Sequence, residues 1–272
     1  MDQQRPPHGF EAVDQDDNPE WFRECLDTQS VLPFHQAVTR EVFVRLQVRE
    51  GYHAVDVGCG TGTDARALAQ MVGASGHVVG VDISETLITE ARARSRDQTL
   101  PIEYMLGDAA SIPLESASFD GCFSIRTFQH LAEPRRILAE MFRILRSGGR
   151  IVVSDPDHTS AVVDVVDREL AQRFLMWRAG TIRNGWIAHH MRALMKEVGF
   201  QEIDVTPMVN IRTDYAEVER TSSYDGGVRV AQRDGVFSTH EADSLIASLR
   251  AAAASDSFFC AMTFFITSGT KP

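Results

Sequence analysis

The stretch HAVDVGCGTGTD, residues 53–64, joins a short apolar run to a turn built from small residues. Asp56 lies within the apolar run, and glycine then stands at every second position, as Gly58, Gly60 and Gly62. Glycine at a strand-to-helix turn lets the main chain approach a ligand closely, and the helix that follows begins with free N–H donors. The stretch therefore predicts a ligand-binding turn of a kind that several nucleotide-binding classes use.

The spacing of the glycines separates these classes. A dinucleotide-binding fingerprint, G-x-G-x-x-G, would require glycine at position 63, where Thr63 stands. The phosphate loop of nucleoside triphosphatases would require Gly-Lys-Ser/Thr after the turn, and the sequence has none there. What remains is an acid followed by G-x-G-x-G.

Strand-like and helix-like patterns alternate regularly after residue 52. The predicted strands are 53–57, 77–81, 102–106, 119–125 and 150–154, and the predicted helices between them are 64–71, 85–96 and 134–145. Strands that alternate with crossover helices form a mostly parallel sheet covered on both faces. Two later apolar runs, 201–211 and 258–269, predict a sixth and a seventh strand.

The remaining segments suggest one domain with additions. Residues 1–19 are polar and acidic and predict a flexible tail. Residues 20–272 form a single domain, with a helical cap at 20–50, a core at 52–155, and substrate-side insertions at 156–198 and 212–256. The pair Ser238 and Glu241 predicts the start of a helix within the second insertion.

The net charge limits the classes of partner that we expect, and the cysteines indicate the cellular compartment. The chain of 272 residues carries a net charge of −11 and has a pI of about 5.3. Nucleic acid and anionic membranes bind basic faces, so neither is the expected partner. No apolar run reaches the length of a membrane span and no secretion signal is recognisable, while four scattered cysteines fit a reducing cytoplasm. We therefore expect a cytoplasmic protein.

Three further segments follow the glycine turn in a fixed order. Asp82 stands at the end of the second predicted strand, in HVVGVDIS, and Asp108 begins DAASIPLESASFD. Residues 123–155 read FSIRTFQHLAEPRRILAEMFRILRSGGRIVVSD. Together with the turn, they resemble class I S-adenosylmethionine-dependent methyltransferases, in particular the ubiquinone/menaquinone-biosynthesis-like small-molecule group. The resemblance is strong over about residues 52–155. It implies an α/β fold with a Rossmann-like seven-stranded sheet, mostly parallel with an antiparallel last strand, helices on both faces and helical lid insertions.

The resemblance also implies a cofactor site for S-adenosyl-L-methionine. Asp82 would accept hydrogen bonds from the ribose hydroxyls, Ile83 would pack on the adenine ring, and Asp108 would receive the adenine amino group. The cofactor-binding residues implied are Asp56, Gly58, Cys59, Gly60, Gly62, Thr63, Asp82, Ile83, Asp108, Ala109, Ser124, Ile125 and Arg126. The cap helices are expected to close over the cofactor, as in many small-molecule members of this family.

Methyl transfer needs a general base only when the acceptor holds its proton tightly. His130 is the candidate catalytic base, because it follows the fourth strand, where the family's active site opens. Arg126 is expected to pair with a carboxylate. The substrate-side candidates are Gln129, Trp177, Asn184, Trp186, His189 and Tyr215. No metal is expected, since His189 and His190 lack further ligands at a suitable spacing.

The expected function is methyl transfer to an O, N or C atom of a small-molecule acceptor, such as a quinone, polyketide, peptide-like compound or other specialised metabolite. Two alternatives stay open. One is a protein that binds S-adenosylmethionine without transferring the methyl group, and the other uses the cofactor for a methyl-independent reaction. The chain could act as a monomer or as a homodimer. The sequence does not identify the acceptor.

Overall fold

A computed structural model of the chain describes residues 10–272. In this part of the chain, seven strands form one sheet. The strands are β1 His53–Val57, β2 His77–Asp82, β3 Ile102–Leu106, β4 Phe119–Ile125, β5 Leu145–Val163, β6 Gln201–Arg212 and β7 Cys260–Thr270.

Helices surround the sheet and connect its strands. They are α1 Pro19–Ser30, α2 Pro33–Leu46, α3 Thr63–Val72, α4 Glu85–Ser95, α5 Pro134–Ile144, α6 Arg168–Gly180, α7 Ile187–Val198, α8 Tyr215–Ser222, α9 Tyr224–Arg233 and α10 Thr239–Ala254. Short 3₁₀ helices cover Phe10–Gln15 and Phe128–His130. The predicted capping box of Ser238 and Glu241 begins α10.

The strand order is β3-β2-β1-β4-β5-β7-β6. The first five strands pair in parallel, whereas β7 runs antiparallel to both β5 and β6. This confirms the Rossmann-like sheet predicted from the sequence. The order reverses between β1 and β4, and in open α/β sheets ligands bind at the carboxyl ends of the strands beside such a reversal. The glycine turn follows β1 at this place.

Both faces of the sheet are buried, as the apolar strands predict. On one face, α2, α3 and α4 pack on residues such as Ala54, Val78 and Phe123. On the other face, α5 and α7 pack on the alternating residues, such as Val55 and Val79. Burial on both sides holds the carboxyl ends of the strands in fixed positions relative to one another.

A third apolar cluster lies beyond the sheet and belongs to the two insertions. It brings together side chains of α6, α8, α9 and α10, including Phe174, Val228 and Leu249. The ends of β5 and β7 contribute to it through Val163 and Cys260, which pair with each other. Helices α6, α8, α9 and α10 thus form a helical subdomain, which we call the lid, whereas α7 of the first insertion packs on the sheet.

Two boundaries differ from the prediction. Strand β5 continues to Val163, so the first eight residues of the predicted 156–198 insertion extend the sheet. Residues Phe10–Gln15 form a 3₁₀ helix within the predicted tail, and Val13 is buried against Phe22 and Leu87. The rest of the tail, residues 1–9, lies outside the described residues. No helix among residues 10–272 has the length and apolar character needed to cross a membrane.

Candidate active site

The glycine turn adopts a backbone that side chains would disturb. Gly58, Gly60 and Gly62 all have positive φ, at +79°, +53° and +77°. A Cβ on Gly58 would lie 2.3 Å from the Thr127 side chain, and one on Gly62 would lie 2.5 Å from the Tyr104 hydroxyl. The turn therefore requires glycine for both its conformation and its packing.

Asp82 connects this turn to the end of β2. Its Oδ2 accepts a hydrogen bond from the Gly60 N–H at 2.8 Å, and its Oδ1 accepts one from the Ser84 N–H at 3.0 Å. Burial raises the pKa of this carboxyl. Since a carboxylate has about four acceptor positions, Asp82 retains capacity to accept a hydrogen bond from a ligand hydroxyl.

Two exposed aliphatic side chains stand beside Asp82. Ile83 is 57% exposed, and Leu106, which ends β3 and pairs with Asp82 in register, is 49% exposed. Asp108 lies two residues further along, exposed, and accepts a hydrogen bond from the Ala110 N–H at 2.8 Å. This combination of apolar faces and a carboxylate suits a flat heteroaromatic ring with an amino group. The sequence had indicated Ile83 and Asp108 but not Leu106.

Other predicted cofactor residues support the turn from within. Asp56 is buried beneath it, where the Ala65 N–H donates to its carboxyl, and burial raises its pKa well above the usual range. Cys59 is buried, and Ser124 donates from Oγ to the Val57 carbonyl at 2.8 Å. Thr63 begins α3 and receives the Arg66 guanidinium at its hydroxyl. Ile125 packs in the core on the α2 face, and Ala109 packs against the opposite core.

Arg126 turns the chain sharply after β4. Its φ is +59°, an uncommon value for a residue with a side chain, and its N–H donates to the Ser154 carbonyl at 2.7 Å. The buried guanidinium bonds Gln29 of α1, and its charge faces Asp64 and Asp155. Its Nε is buried without a hydrogen-bond partner among residues 10–272.

Asp155, near the carboxyl end of the part of β5 that pairs with β4, is a functional candidate that the sequence analysis missed. One carboxyl oxygen accepts the Gln129 N–H at 3.1 Å, and the other, Oδ2, is buried without a partner in the described part of the chain. Burial raises its pKa to about 7. An available signal was the motif VVSD, which places an acid after an apolar strand as VVGVD does for Asp82.

The amino-terminal segment covers the turn. Leu26 of α1 would lie 3.1 Å from a Cβ on Gly60, and Asp14 accepts hydrogen bonds from the Ser84 hydroxyl and the Glu85 N–H at the start of α4. The ring of His130 lies 5.4 Å from that of Phe10. The predicted base therefore contacts the segment that closes the site.

Three predicted substrate-side residues lie near the carboxyl ends of β4 and β5. Gln129 bonds the Arg126 carbonyl and the ring of His158, and Asn184 bonds the Phe128 carbonyl. His189 bonds Asp157 through Nδ1.

The other three lie elsewhere. Trp177 and Tyr215 pack within the lid, where they bond Asp234 and Asp225, and Trp186 is partly exposed before α7. The described residues contain no group of three or more His, Cys, Asp or Glu side chains placed to hold a metal ion.

Comparison with known proteins identifies the family. Residues 55–153 match a family described as a methyltransferase domain. The 2-phytyl-1,4-naphtoquinone methyltransferase of Thermosynechococcus vestitus is 32% identical over 195 residues, which cover 69% of this chain and 84% of that protein. The chain belongs to the class I S-adenosylmethionine-dependent methyltransferases.

The chain is also similar to other proteins. An uncharacterized 37.1 kDa protein in transposon TN4556 of Streptomyces fradiae is 33% identical over 81% of the chain, and O-methyltransferase cnsE of Penicillium expansum is 34% identical over 64%. The chain spans 63% and 62% of their lengths. The YcgJ protein of Bacillus subtilis shares the fold, with a TM-score of 0.63 at 14% identity, covering 87% of this chain and 99% of that one.

The cofactor of this family is S-adenosyl-L-methionine, and the residues present fit it. The side-chain-free turn leaves room for a close approach, Asp82 retains free acceptor positions, and Ile83 with Leu106 presents exposed apolar surface beside them. The unpartnered Arg126 Nε lies on the β4 side of the same turn. The adenine and the ribose of the cofactor would each meet a matching chemical group here.

Proposed function

We propose that this chain transfers the methyl group of S-adenosyl-L-methionine to an O, N or C atom of a small-molecule acceptor. One observation carries the proposal. Three buried polar atoms at the ends of β4 and β5 lack hydrogen-bond partners among residues 10–272, namely Arg126 Nε, Ser154 Oγ and Asp155 Oδ2. Buried polar groups are nearly always paired, so unpaired atoms at these neighbouring strand ends indicate a ligand-binding region. The next residue after Arg126, Thr127, packs its side chain against Gly58 of the glycine turn.

On the cofactor side, Asp82 would hold the ribose, Asp108 the adenine amino group, and Ile83 with Leu106 the ring faces. The main chain from Ser124 to Arg126 would face the methionine part. These roles extend the predicted site by one residue, Leu106, whose support is its exposure on the strand end beside Asp82.

When bound, S-adenosyl-L-methionine supplies a methyl group activated by a positively charged sulfur. The protein must then hold the acceptor atom in line with the methyl group and exclude water. Leu26 of α1, packed on the glycine turn, and the Asp14 contact with Ser84 would serve the exclusion of water. Gln129, Asn184 and His189 would bound the acceptor region on the side of β5 and α7.

Asp155 is the proton acceptor that the geometry favours for a hydroxyl acceptor. Its buried Oδ2 is unpartnered, and a pKa raised to about 7 suits exchange of a proton near neutral pH. His130, predicted from the sequence, is the second candidate, at the contact with Phe10. The relative named O-methyltransferase cnsE supports oxygen as the acceptor atom.

None of the four cysteines, all within the described residues, forms a disulfide bond, which supports a cytoplasmic location. The family supports a role in biosynthesis of a specialised metabolite. We retain two alternatives, binding without transfer and a methyl-independent use of the cofactor, because the cofactor side would look the same in all three cases.

The test incubates the purified chain with methyl-labelled S-adenosylmethionine and a panel of phenols, amines and quinones. Labelled product together with S-adenosylhomocysteine supports transfer. Binding of S-adenosylhomocysteine by calorimetry with no turnover on any compound would favour the binding protein, and conversion of a compound without S-adenosylhomocysteine would favour the methyl-independent reaction. Once an acceptor is found, Asp155→Asn and His130→Gln are compared, with the exposed Asp97→Asn as control.

A further inference from the structure

His35 occupies the end of α2 nearest the proposed acceptor region. The last residue of α2, Leu46, accepts a hydrogen bond from Tyr52, which precedes β1, so the first turn of α2 lies at the opposite edge of the sheet, where the strands have their carboxyl ends. His35 is the third residue of this helix. Its ring lies edge-on to Phe34 and to Phe264, at 5.6 and 5.7 Å.

Phe264 places this ring beside β5. It pairs with Pro156, the residue after Asp155, and Ser154 follows Val152 on the face of the sheet that α2 covers. The unpartnered hydroxyl of Ser154 and the ring of His35 are thus on the same side of the sheet. Nδ1 of His35 is also buried without a partner in residues 10–272.

Charged groups around His35 keep it neutral. Burial and the guanidinium groups of Arg126 and Arg212 lower its pKa to about 3. Arg212 comes from the end of β6 and is paired with Glu217, while Arg126 also faces Asp64 and Asp155. Two cations that oppose a positive charge on the ring favour a negative charge in the same place.

We propose that His35 is a substrate-binding residue of the acceptor site, where Nδ1–H donates a hydrogen bond to an anionic oxygen of a phenol or enol. This rests on the proposed methyl transfer. A neutral imidazole with its proton on Nδ1 is a suitable donor, and the aromatic rings of Phe34 and Phe264 suit a conjugated acceptor. Arg126, whose Nε is unpartnered, adds positive charge nearby.

The chemistry balances without a further reagent. The acceptor hydroxyl gives its proton to solvent water, and the resulting oxygen anion is held by His35. This oxygen forms a bond to the methyl carbon as the carbon–sulfur bond breaks, and that electron pair stays on sulfur. His35 stabilises the anion and neither gains nor loses a proton overall.

The test uses 4-nitrophenol, whose anion is yellow and whose neutral form is not. The full-length chain is saturated with S-adenosylhomocysteine, mixed with the dye at pH 6, and the anion band is recorded. Binding at His35 is expected to raise the ionised fraction about threefold or more, because a charge-assisted hydrogen bond stabilises the anion over the phenol. The uncharged 4-nitroanisole should compete poorly.

Substitutions test whether His35 causes the rise of the anion band. His35→Phe should lose most of the added anion band while S-adenosylhomocysteine affinity stays within about twofold, a change of less than 0.5 kcal/mol. His35→Asn, which keeps a donor, should retain part of the band, and the exposed His240→Phe should retain all of it. If His35→Phe does not fold, His35→Ala replaces it.

Three results would overturn the proposal: no rise of the band in the wild-type chain, the same rise in His35→Phe or His35→Ala, or equal competition by 4-nitroanisole. Loss of S-adenosylhomocysteine binding in the wild-type chain would instead defeat the proposed function. The calorimetric and the optical readouts therefore distinguish the two failures.

Discussion

The Gly60 N–H and Oδ2 of Asp82 are joined by a 2.8 Å hydrogen bond, which connects the turn after β1 to the end of β2. The Ser84 N–H holds the other oxygen of the same carboxylate. The acid proposed to bind the ribose is therefore oriented by the main chain before any cofactor arrives. Such preorganisation reduces the entropy lost on binding.

Replacing Asp82 by asparagine should weaken cofactor binding. The amide can accept from only one of the two main-chain N–H groups, and it loses the charge and one of the oxygens offered to ribose hydroxyls. We expect the Kd for S-adenosylhomocysteine to rise at least about tenfold, since hydrogen bonds to charged groups contribute about 1.5–3 kcal/mol. Titration calorimetry measures this, with the exposed Asp97→Asn as control. An unchanged Kd would remove Asp82 from the ribose site.

Two glycines with nearly equal φ allow the effect of side-chain packing on stability to be measured apart from the effect of backbone conformation. Gly62 and Gly235 have φ of +77° and +78°, but a Cβ would meet the Tyr104 hydroxyl at 2.5 Å in the first and nothing within 4 Å in the second. Gly235→Ala should lower the free energy of unfolding by about 1–2 kcal/mol, the penalty of the left-handed backbone. Gly62→Ala should lower it by about 1–3 kcal/mol more, because Tyr104 is buried and bonded to Ser95. Equal losses in urea denaturation would contradict the clash.

The raised pKa of Asp155 predicts a pH-dependent stability difference. Between its ordinary value of 3.8 and about 7, the folded chain holds a proton on Asp155 that the unfolded chain has lost. The contribution of this group to the free energy of unfolding therefore falls as the pH rises through this range and is constant above it. Asp155→Asn lacks this dependence, so relative to the wild-type chain it should be more stable at pH 8 than at pH 4. Urea denaturation at both values measures the difference, and a constant offset would show that the pKa is unshifted.

The contact between α1 and α4 predicts an effect on the rate at which bound S-adenosylhomocysteine dissociates. Arg94 of α4 bonds Asp27 of α1 at 2.9 Å and Glu90 at 2.7 Å, and Glu90 also meets Arg23 of α1. We expect Arg94→Gln to speed the dissociation of S-adenosylhomocysteine about two- to fivefold, since a partly exposed ion pair contributes up to about 1 kcal/mol. The difference should shrink at high salt. Labelled ligand chased with unlabelled ligand gives the rate, and the exposed Arg96→Gln should leave it unchanged.

Features that depend on neighbouring residues in the chain were predictable. The spacing of Gly58, Gly60 and Gly62 indicated the turn, and acids at the ends of apolar runs indicated Asp82 and Asp108. The mostly parallel sheet, though not its strand order, followed from the alternation of strands and helices, because parallel strands need crossover connections. The capping box at Ser238 was a local signal of the same kind.

Features that depend on distant parts of the chain were not predictable. His35 becomes a candidate only because the first turn of α2 lies beside Phe264 of β7, a separation of more than two hundred residues. Trp177 and Tyr215 are of residue types common in ligand-binding sites, but the structure places them against the apolar cluster of the lid. The extension of β5 to Val163 depends on its pairing with Cys260, which periodicity alone does not reveal.

The two sides of the site are attached by different means. The lid is connected to the sheet through continuous strands, with Val163 and Arg212 both paired to Cys260, so a hinge motion there would break a β-ladder. Phe10–Gln15 and α1 are fastened by side chains alone at α4, through Asp14 and Asp27. We therefore expect the amino-terminal segment to open more readily than the lid, and cofactor exchange to occur on that side of the site.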